Sequence, residues 1–580
     1  MSYGNDNFAS EGVTVQQDAD GRSYEPNPRY APVGTDIHHG WRTPVAELGD
    51  DVAVLAVDGP WILDWDAVVK GLLDVAPGVT LVDLRAHLAS WATIVERTDS
   101  TELTGDPDFA KLADGDLADL FEALPTVTPT DGLTVVYGPG AALVEHDALW
   151  YADLPKRYAE AAIGAGSATN LGQPDDSGRG AGRRLLYIDW PILDRHRDAI
   201  AARIDRYLDL QVPGDPVSLA GESLRATAER LVRQPFRTRP TFNTTPWGGQ
   251  WGRRTLGFNP EAVNTALGYE LIAPESGVLI GTAEGSVEVP FQLLVALHPE
   301  HLLGSDVHEM FGFSFPIRFD YLDTVAGGNL SVHCHPQPDY MREVFGWPYT
   351  QHETYYLMVG EEQNKVFLGL REDIDVERFH EEAHRADHDG VAFDIQRYVQ
   401  TFPATPHQLF LIPAGTPHGS GKGNVVLEIS ATPYLYSLRF YDWLRRDAAD
   451  RQRPVHVEHA FRNLNTQRTG EAVRQDLVQE PRALVRADGW SEEMIGQLPE
   501  MFFSIHRVSI EGGVEAPQNT ADRFQVINVV EGPGVVVRTD AGVEHVVNYA
   551  ETLVIPAAVG RYTVTGLAGD TSRVVKAYVR

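Results

Sequence analysis

One cysteine in 580 residues, Cys334, excludes an intramolecular disulfide framework and suits a reducing cytoplasm. Positive charge is also scarce. Lys and Arg number 48 against 82 Asp and Glu, a formal charge of −34, and only six of those cations are lysine. Such a surface repels nucleic acid and anionic membranes, so neither is expected as a partner. It also means that an anionic small substrate needs a locally positive pocket. No window approaches the roughly 18 apolar residues of a membrane helix. The opening stretch MSYGNDNFASEGVTVQQDADGRSY has neither a basic n-region nor an apolar h-region. A soluble, cytoplasmic protein is expected, and its length calls for several domains around separate cores.

What is present divides the chain into four. Residues 1–48 are polar and read as a poorly ordered N-terminal arm. Residues 49–235 alternate buried-strand runs such as DVAVLAV and GLTVVY with amphipathic helical stretches, the pattern of a parallel α/β sheet. This region resembles the P-loop fold of nucleoside and sugar kinases in degenerate form. The strand ending at Val57 is followed by DGPWILDWD, with no G-x-x-x-x-G-K-[ST] to hold phosphates and magnesium. The glycines of YGPGAAL and GQPDDSGRGAGRR are weak evidence for nucleotide binding, and a structural or regulatory module is the favoured reading. From 236 to about 480 come short strands, SVHCHP, ETYYLMVG, KVFLGLRE, HQLFLIPAG and NVVLEISAT, which indicate a β-barrel or sandwich. A charged helical insertion, DVERFHEEAHRADHDG, interrupts them and reads as a solvated face. Residues 481–580 form a second, smaller barrel. The fold class is thus multi-domain, α/β followed by all-β.

The chemistry concentrates in SVHCHP. Residues i and i+2 of a strand share a face, so His333 and His335 project together while Cys334 points away. Glu353 opens the next apolar strand, where an unpaired carboxylate is costly. His418 follows the turn IPAGTP. Three imidazoles and a carboxylate suit one divalent ion of the zinc, iron, manganese or nickel type. His352 should face away from its neighbour Glu353, and His301, His308 and His407 lie outside these strand edges, so none joins the set.

The order H-x-H, Glu, P-x-G-x-x-H resembles the metal motif of cupins. With RPTFNTTPWGGQW, FPIRFDYLDTVAGGNLSVHCHP, VLEIS and LRFYDWLR, residues 236–580 resemble class I mannose-6-phosphate isomerases. The resemblance implies a double cupin barrel with helical insertions, and a C-terminal barrel free of metal ligands. It also implies one zinc on His333, His335, Glu353 and His418. The implied activity is aldose–ketose isomerisation of mannose 6-phosphate and fructose 6-phosphate through a cis-enediol, with the sugar phosphate as partner. Arg439 matches the family's active-site arginine. Glu428, sharing a strand face with Val426 and Ser430, is either the proton shuttle or an ion-pair partner of Arg439. Lys422 either restores phosphate affinity from its loop or is solvated, and Trp247 reads as packing.

Two departures stand out. His333 replaces the family's usual glutamine, which strengthens the first shell and leaves the metal open. Gln351 stands where a lysine at the substrate site is usual, removing a positive charge. The alternatives are therefore a free-sugar isomerase, an Fe(II) dioxygenase on the same ligands, or a non-catalytic sugar-binding regulator.

Overall fold

Strand β1 (Val54–Asp58) is buried along its whole length, as its unbroken apolar run requires in a sheet covered on both faces. The computed structural model describes residues 24–34, 37–100, 103–129, 132–432, 436–447 and 450–580. Around β1 run β2 (Thr80–Asp83), β3 (Thr134–Tyr137), β4 (Ala148–Asp153) and β5 (Arg206–Asp209), all parallel to their neighbours. The antiparallel β6 (Val217–Ala220) and the pair His38–His39 close one edge. Read across the sheet the order is 2-3-1-4-5-6, with the first strand inside. The parallel sheet expected from the alternation is therefore present.

The turn after β1 is held by a carboxylate. Asp58, 1% exposed, accepts hydrogen bonds from the backbone N–H of Gly59 (2.7 Å), Gly140 (3.1 Å) and Ala142 (2.8 Å). Its second oxygen also meets His196 Nε2 at 2.8 Å. Gly140 has φ +86°, and a Cβ there would come 2.9 Å from the Phe121 ring. The loop YGPG thus gathers backbone donors, and the chain's own acid fills them.

The second part of the chain is built from antiparallel sheets. A six-stranded sheet contains, in chain order, β7 (Leu267–Leu271), β8 (Ile317–Asp323), β10 (Glu353–Val359), β11 (Leu409–Ile412) and β13 (Val425–Ala431). A five-stranded sheet contains β9 (Val332–Cys334), β12 (His418–Ser420) and, at its edge, β14 (Leu438–Tyr441). The insertion forms a helix over Val376–Asp389, capped by Asp375 and ended by Gly390 in the left-handed region. Beyond it, sheets of six and four strands build the C-terminal barrel around Val508, Ile527, Val529, Leu553 and Val574. Among the described residues no helix is long and apolar enough to cross a membrane.

These parts share one core. Leu231, Phe236, Phe291 and Phe315 belong to a single cluster that reaches Tyr355 and Val554. Arg237, 2% exposed, crosses it as the cation paired with Glu551 at 2.7 Å. Of the expected arm, residues 1–23 lie outside the described residues. Tyr24 is buried, and Arg29–Tyr30 pairs in parallel with Leu279–Ile280, so this part of the arm is docked. Polar composition hid that docking, because two aromatic rings and one strand pair suffice for it.

Buried acids set the pH dependence of stability. Burial pushes Asp153, Asp189 and Asp209 from 3.8 up to about 6. Each keeps its proton in the folded state over roughly pH 4–6, where the unfolded chain has lost it, so stability falls as pH rises through that window. Against their own burial, Asp106 beside His459, Glu288 beside Arg157 and Arg239, and Glu492 beside His506 and Lys576 are held at about 2. Their contribution is present above about pH 4.5 and is lost as pH falls toward 2. Calorimetry is expected to give a higher Tm at pH 5 than at pH 8. Repulsion within a chain of charge −34 acts in the same direction.

Candidate metal centre

The two facing sheets bring four side chains to one point. His333 on β9 pairs in register with His418 on β12, and Glu353 opens β10 in the opposite sheet. The Nε2 atoms of His335 and His418 lie 2.5 and 3.0 Å from Glu353 Oε2. All four candidate ligand atoms fall within 4.8 Å of one another, and this is the one such group found among the described residues. Each residue is at most 6% exposed.

The imidazoles are pre-aimed. Backbone carbonyls of Ser331 (3.1 Å), Tyr436 (3.3 Å) and Thr416 (2.8 Å) engage Nδ1 of His333, His335 and His418. That leaves the three Nε2 atoms directed inward. Gly415 holds the turn before His418: its φ is +80°, its N–H donates to His335 O at 2.9 Å, and a Cβ would meet Gln337 Nε2 at 2.2 Å. Cys334 faces the other way, buried with Val332 and Leu438, and burial raises its thiol.

Electrostatics favour a cation. Burial, then His418 and His335, pushes His333 well below the ordinary histidine value, and burial lowers His335 too, so both are neutral donors. Glu353 is raised by burial, but His418 and His335 outweigh that and hold it low and ionised. A tetrahedral ion with bonds near 2.05 Å spaces its ligand atoms about 3.3 Å apart. Three inward Nε2 atoms and one carboxylate oxygen within 4.8 Å fit one divalent ion after small shifts.

Above this cluster a charged wall spans three strands. Asp320 on β8, Glu428 on β13 and Tyr355 on β10 lie side by side in register, and Arg318, Ser430 and Glu353 form the next row. Arg318 donates to Glu428 Oε1 (2.6 Å) and to Ser430 Oγ (2.8 Å), and its Nε is 3.4 Å from Asp320. Gln351 Nε2 reaches Glu428 at 3.5 Å. Both oxygens of Asp320, which is 0% exposed, and the Tyr355 hydroxyl have no hydrogen-bond partner. Burial pushes Asp320 up to about 7, with Arg318 acting against it, and burial raises Glu428 as well. Orphaned buried acceptors beside a metal cluster mark where a ligand's donors fit.

The expected set is thus partly gathered. His333, His335, Glu353, His418, Glu428 and Gln351 come together. Glu428 is paired with Arg318, not with Arg439. Arg439 stands opposite His333 across β9 and β14, and its guanidinium donates to Pro454 O at 3.0 Å. Lys422 is exposed on the turn after β12, its backbone N–H bound to Asn329, and so is not brought to the cluster. His352, His301, His308 and His407 engage Ala414 N, Arg233, Gly312 O and Tyr356 OH. Trp247 is buried packing. The sequence reading missed Arg318, Asp320 and Tyr355. For Arg318 and Asp320 the signal was available in IRFDYLD, where these two charges alternate with apolar residues in a strand.

Comparison with known proteins separates the two halves. A probable mannose-6-phosphate isomerase, GmuF, of Bacillus subtilis strain 168 is 25% identical over 345 residues, 58% of this chain and 97% of that protein. The mannose-6-phosphate isomerase of Streptococcus mutans is 25% identical over 344 residues, 58% of this chain and 96% of that protein. The C-terminal part of the chain is related in sequence to mannose-6-phosphate isomerases. The crystal structure of the mannose 6-phosphate isomerase from Bacillus subtilis superposes with a TM-score of 0.47 at 21% identity, covering 59% of this chain and 99% of that one. Residues 40–233 match a domain of unknown function, DUF8485. The relatives' coverage therefore leaves the N-terminal sheet as an addition.

Proposed function

We propose that this protein is a metal-dependent aldose–ketose isomerase that interconverts mannose 6-phosphate and fructose 6-phosphate, with zinc as its metal. The observation that carries the reading is the convergence of His333, His335, Glu353 and His418 beneath a wall in which the buried oxygens of Asp320 accept no hydrogen bond. The sequence relationship to mannose-6-phosphate isomerases supports it.

Isomerisation moves a proton between C1 and C2 through a cis-enediol, which needs stabilisation of the enediolate oxygen and a group that carries the proton. His333, His335, Glu353 and His418 would hold a divalent ion, which would supply the first as an electrophile. Asp320 carries the proton. Its oxygens are free of hydrogen bonds, and its raised affinity for a proton suits exchange near neutral pH. Glu428, whose Oε1 already accepts from Arg318, Ser430 and Gln351, holds Arg318 in place. Gln351 positions that carboxylate, and Arg439 meets the anionic end of the substrate from the rim. The single thiol and the absence of a long apolar helix among the described residues agree with action in the cytoplasm.

A second reading, an isomerase of unphosphorylated hexose, has one observation in its favour. Of the charged groups on the inner wall, Asp320 and Glu428 are acidic and Arg318 alone is basic, while Lys422 stays in solvent. For the N-terminal region we propose a degenerate kinase-like module that binds no nucleotide. The parallel sheet supports this, and so does Asp58, which occupies the backbone donors where a phosphate would sit. The test is an anaerobic assay of zinc-loaded protein with hexose 6-phosphates and free hexoses, with and without chelator. Chelator-sensitive turnover of mannose 6-phosphate with C2-proton exchange into solvent is expected. Turnover of a free hexose alone selects the second reading, and none on any sugar overturns both.

A further inference from the structure

A second cavity lies at the seam between the two barrels, on the other side of β10 from the metal cluster. Glu353 and Tyr355 face the cluster, so Tyr356 between them and Leu357 faces away. The Tyr356 hydroxyl lies 3.0 Å from Nδ1 of His407, which lines the cavity. Its volume is about 280 Å³, near the lower end of the roughly 300–1,000 Å³ of small-molecule sites. The C-terminal barrel contributes Arg507 on β15 (Phe503–Ile510) and Arg573 on β16 (Ser572–Val579). Arg573 stands opposite Ser509 across these strands, so the two arginines share a face. Gln408 and Gln479 add amides. Each amide nitrogen gives one hydrogen to a backbone carbonyl, of Leu409 (2.9 Å) or Gln497 (3.0 Å), and has a second to donate. No described Asp or Glu lines the cavity. In a chain of formal charge −34 that is an exception.

The chain's own acids approach these cations from outside the lining. Arg507 donates to His407 O (3.1 Å) and to Glu493 Oε2 (2.8 Å), and its buried Nε has no acceptor. Arg573 meets Glu531 Oε2 at 2.5 Å, and the same oxygen lies 3.6 Å from His407 Nε2. One carboxylate oxygen thus stands between a guanidinium and an imidazole, where an oxygen of a bound anion fits. Arg573 and Glu531 are 36% and 43% exposed, and an ion pair so exposed yields to a competing dianion. His407 has φ +68°, after Pro406 and third in the turn closed by Gln408 N–H to Thr405 O at 3.2 Å. Glycine or asparagine is usual there, and here the position carries an imidazole between Tyr356 and Glu531.

We propose that this cavity binds a phosphate group, free or on a small hydroxylated ester, through Arg573, Arg507 and His407. The phosphate takes the place of Glu531 on Arg573, and the two glutamine amides meet the hydroxyls of an ester. Guanidinium forks match phosphate oxygens in pairs, which is why arginine suits this task. The site stands apart from the isomerase reading, since it uses no group of the metal cluster or of the charged wall above it.

The test is calorimetric titration of the full-length, zinc-loaded chain with inorganic phosphate and with glycerol 3-phosphate, an ester that cannot isomerise. Arg573→Gln is expected to weaken binding at least about tenfold, as for loss of a charge-assisted hydrogen bond, with zinc content unchanged. Glu531→Gln removes the competing carboxylate and is expected to tighten binding about fivefold. Opposite responses to two neighbouring substitutions cannot come from a general loss of structure, and phosphate held at the metal cluster would follow neither. Tighter binding of the ester supports the site with a phosphorylated metabolite as its ligand, and tighter binding of phosphate supports it with the free anion. Affinities that neither variant moves, or no binding of either ligand up to about 10 mM, overturn it.

Discussion

Glu353→Ala is expected to yield a folded protein that no longer retains zinc through dialysis. Glu353 is the one anion of the cluster, and its Oε2 faces both His335 and His418. Without it the ion meets three imidazoles in a buried site and has no negative charge to offset its own desolvation. The loss in metal affinity should exceed the roughly 10–100-fold that changes to outer partners cause. Metal analysis after dialysis reads the first effect, and isomerase turnover should fall by about 1,000-fold with it, as for loss of a principal electrostatic stabiliser. A variant that keeps stoichiometric zinc would show that the four residues are not the ligands. The fold should survive, because the barrel's core residues around the site, Val332, Leu427 and Ile412, are untouched.

Asp320→Asn separates proton transfer from metal binding. The substitution keeps shape and hydrogen-bonding capacity but cannot accept the C–H proton. Turnover should fall about 100- to 10,000-fold, the range for loss of a general base, with zinc content equal to wild type. The pH profile supplies a second signature. Burial pushes Asp320 up to about 7, so wild-type activity should climb as pH rises toward that value, and a nearby cation shifts the limb lower. In Asp320→Asn that limb should vanish, whereas a merely structural role would lower the rate without changing the profile's shape. Exchange of the C2 proton with solvent, followed by NMR, should slow in parallel. If Glu428→Gln gives the larger loss and Asp320→Asn leaves the profile intact, the shuttle is Glu428.

Much of the site was legible because its rules are local. In SVHCHP the two-residue period of a strand places His333 with His335 and excludes Cys334, whatever the rest of the chain does. Proline and glycine in IPAGTPH mark a turn that can deliver His418, and Gly415 proves to sit where a Cβ would strike Gln337. Arg318 and Asp320 were legible in principle as charges in an apolar strand, yet which pocket they face depends on pairing with β13, far away in the chain. The alternative that pairs Glu428 with Arg439 fails for the same reason. Arg318 and Arg439 are both on strands, and only the register shows that Arg318 lies beside Ser430 and Glu428.

The N-terminal region shows the limit most clearly. Alternation of apolar and amphipathic stretches gave its parallel sheet, but nothing in DPDFAKLAD announces a segment that seats Phe109 against Phe345 of the second part of the chain. The sequence by itself determined the ligand types, their order and the faces they occupy, because backbone periodicity and turn chemistry act over a few residues. Only the tertiary structure decided which buried acid stands without a hydrogen bond near the four candidate ligands and which N-terminal residues pack against Phe345 and Tyr436. Those are contacts between segments tens to hundreds of residues apart, set by strand register and by burial of a shared core, and no local rule encodes them.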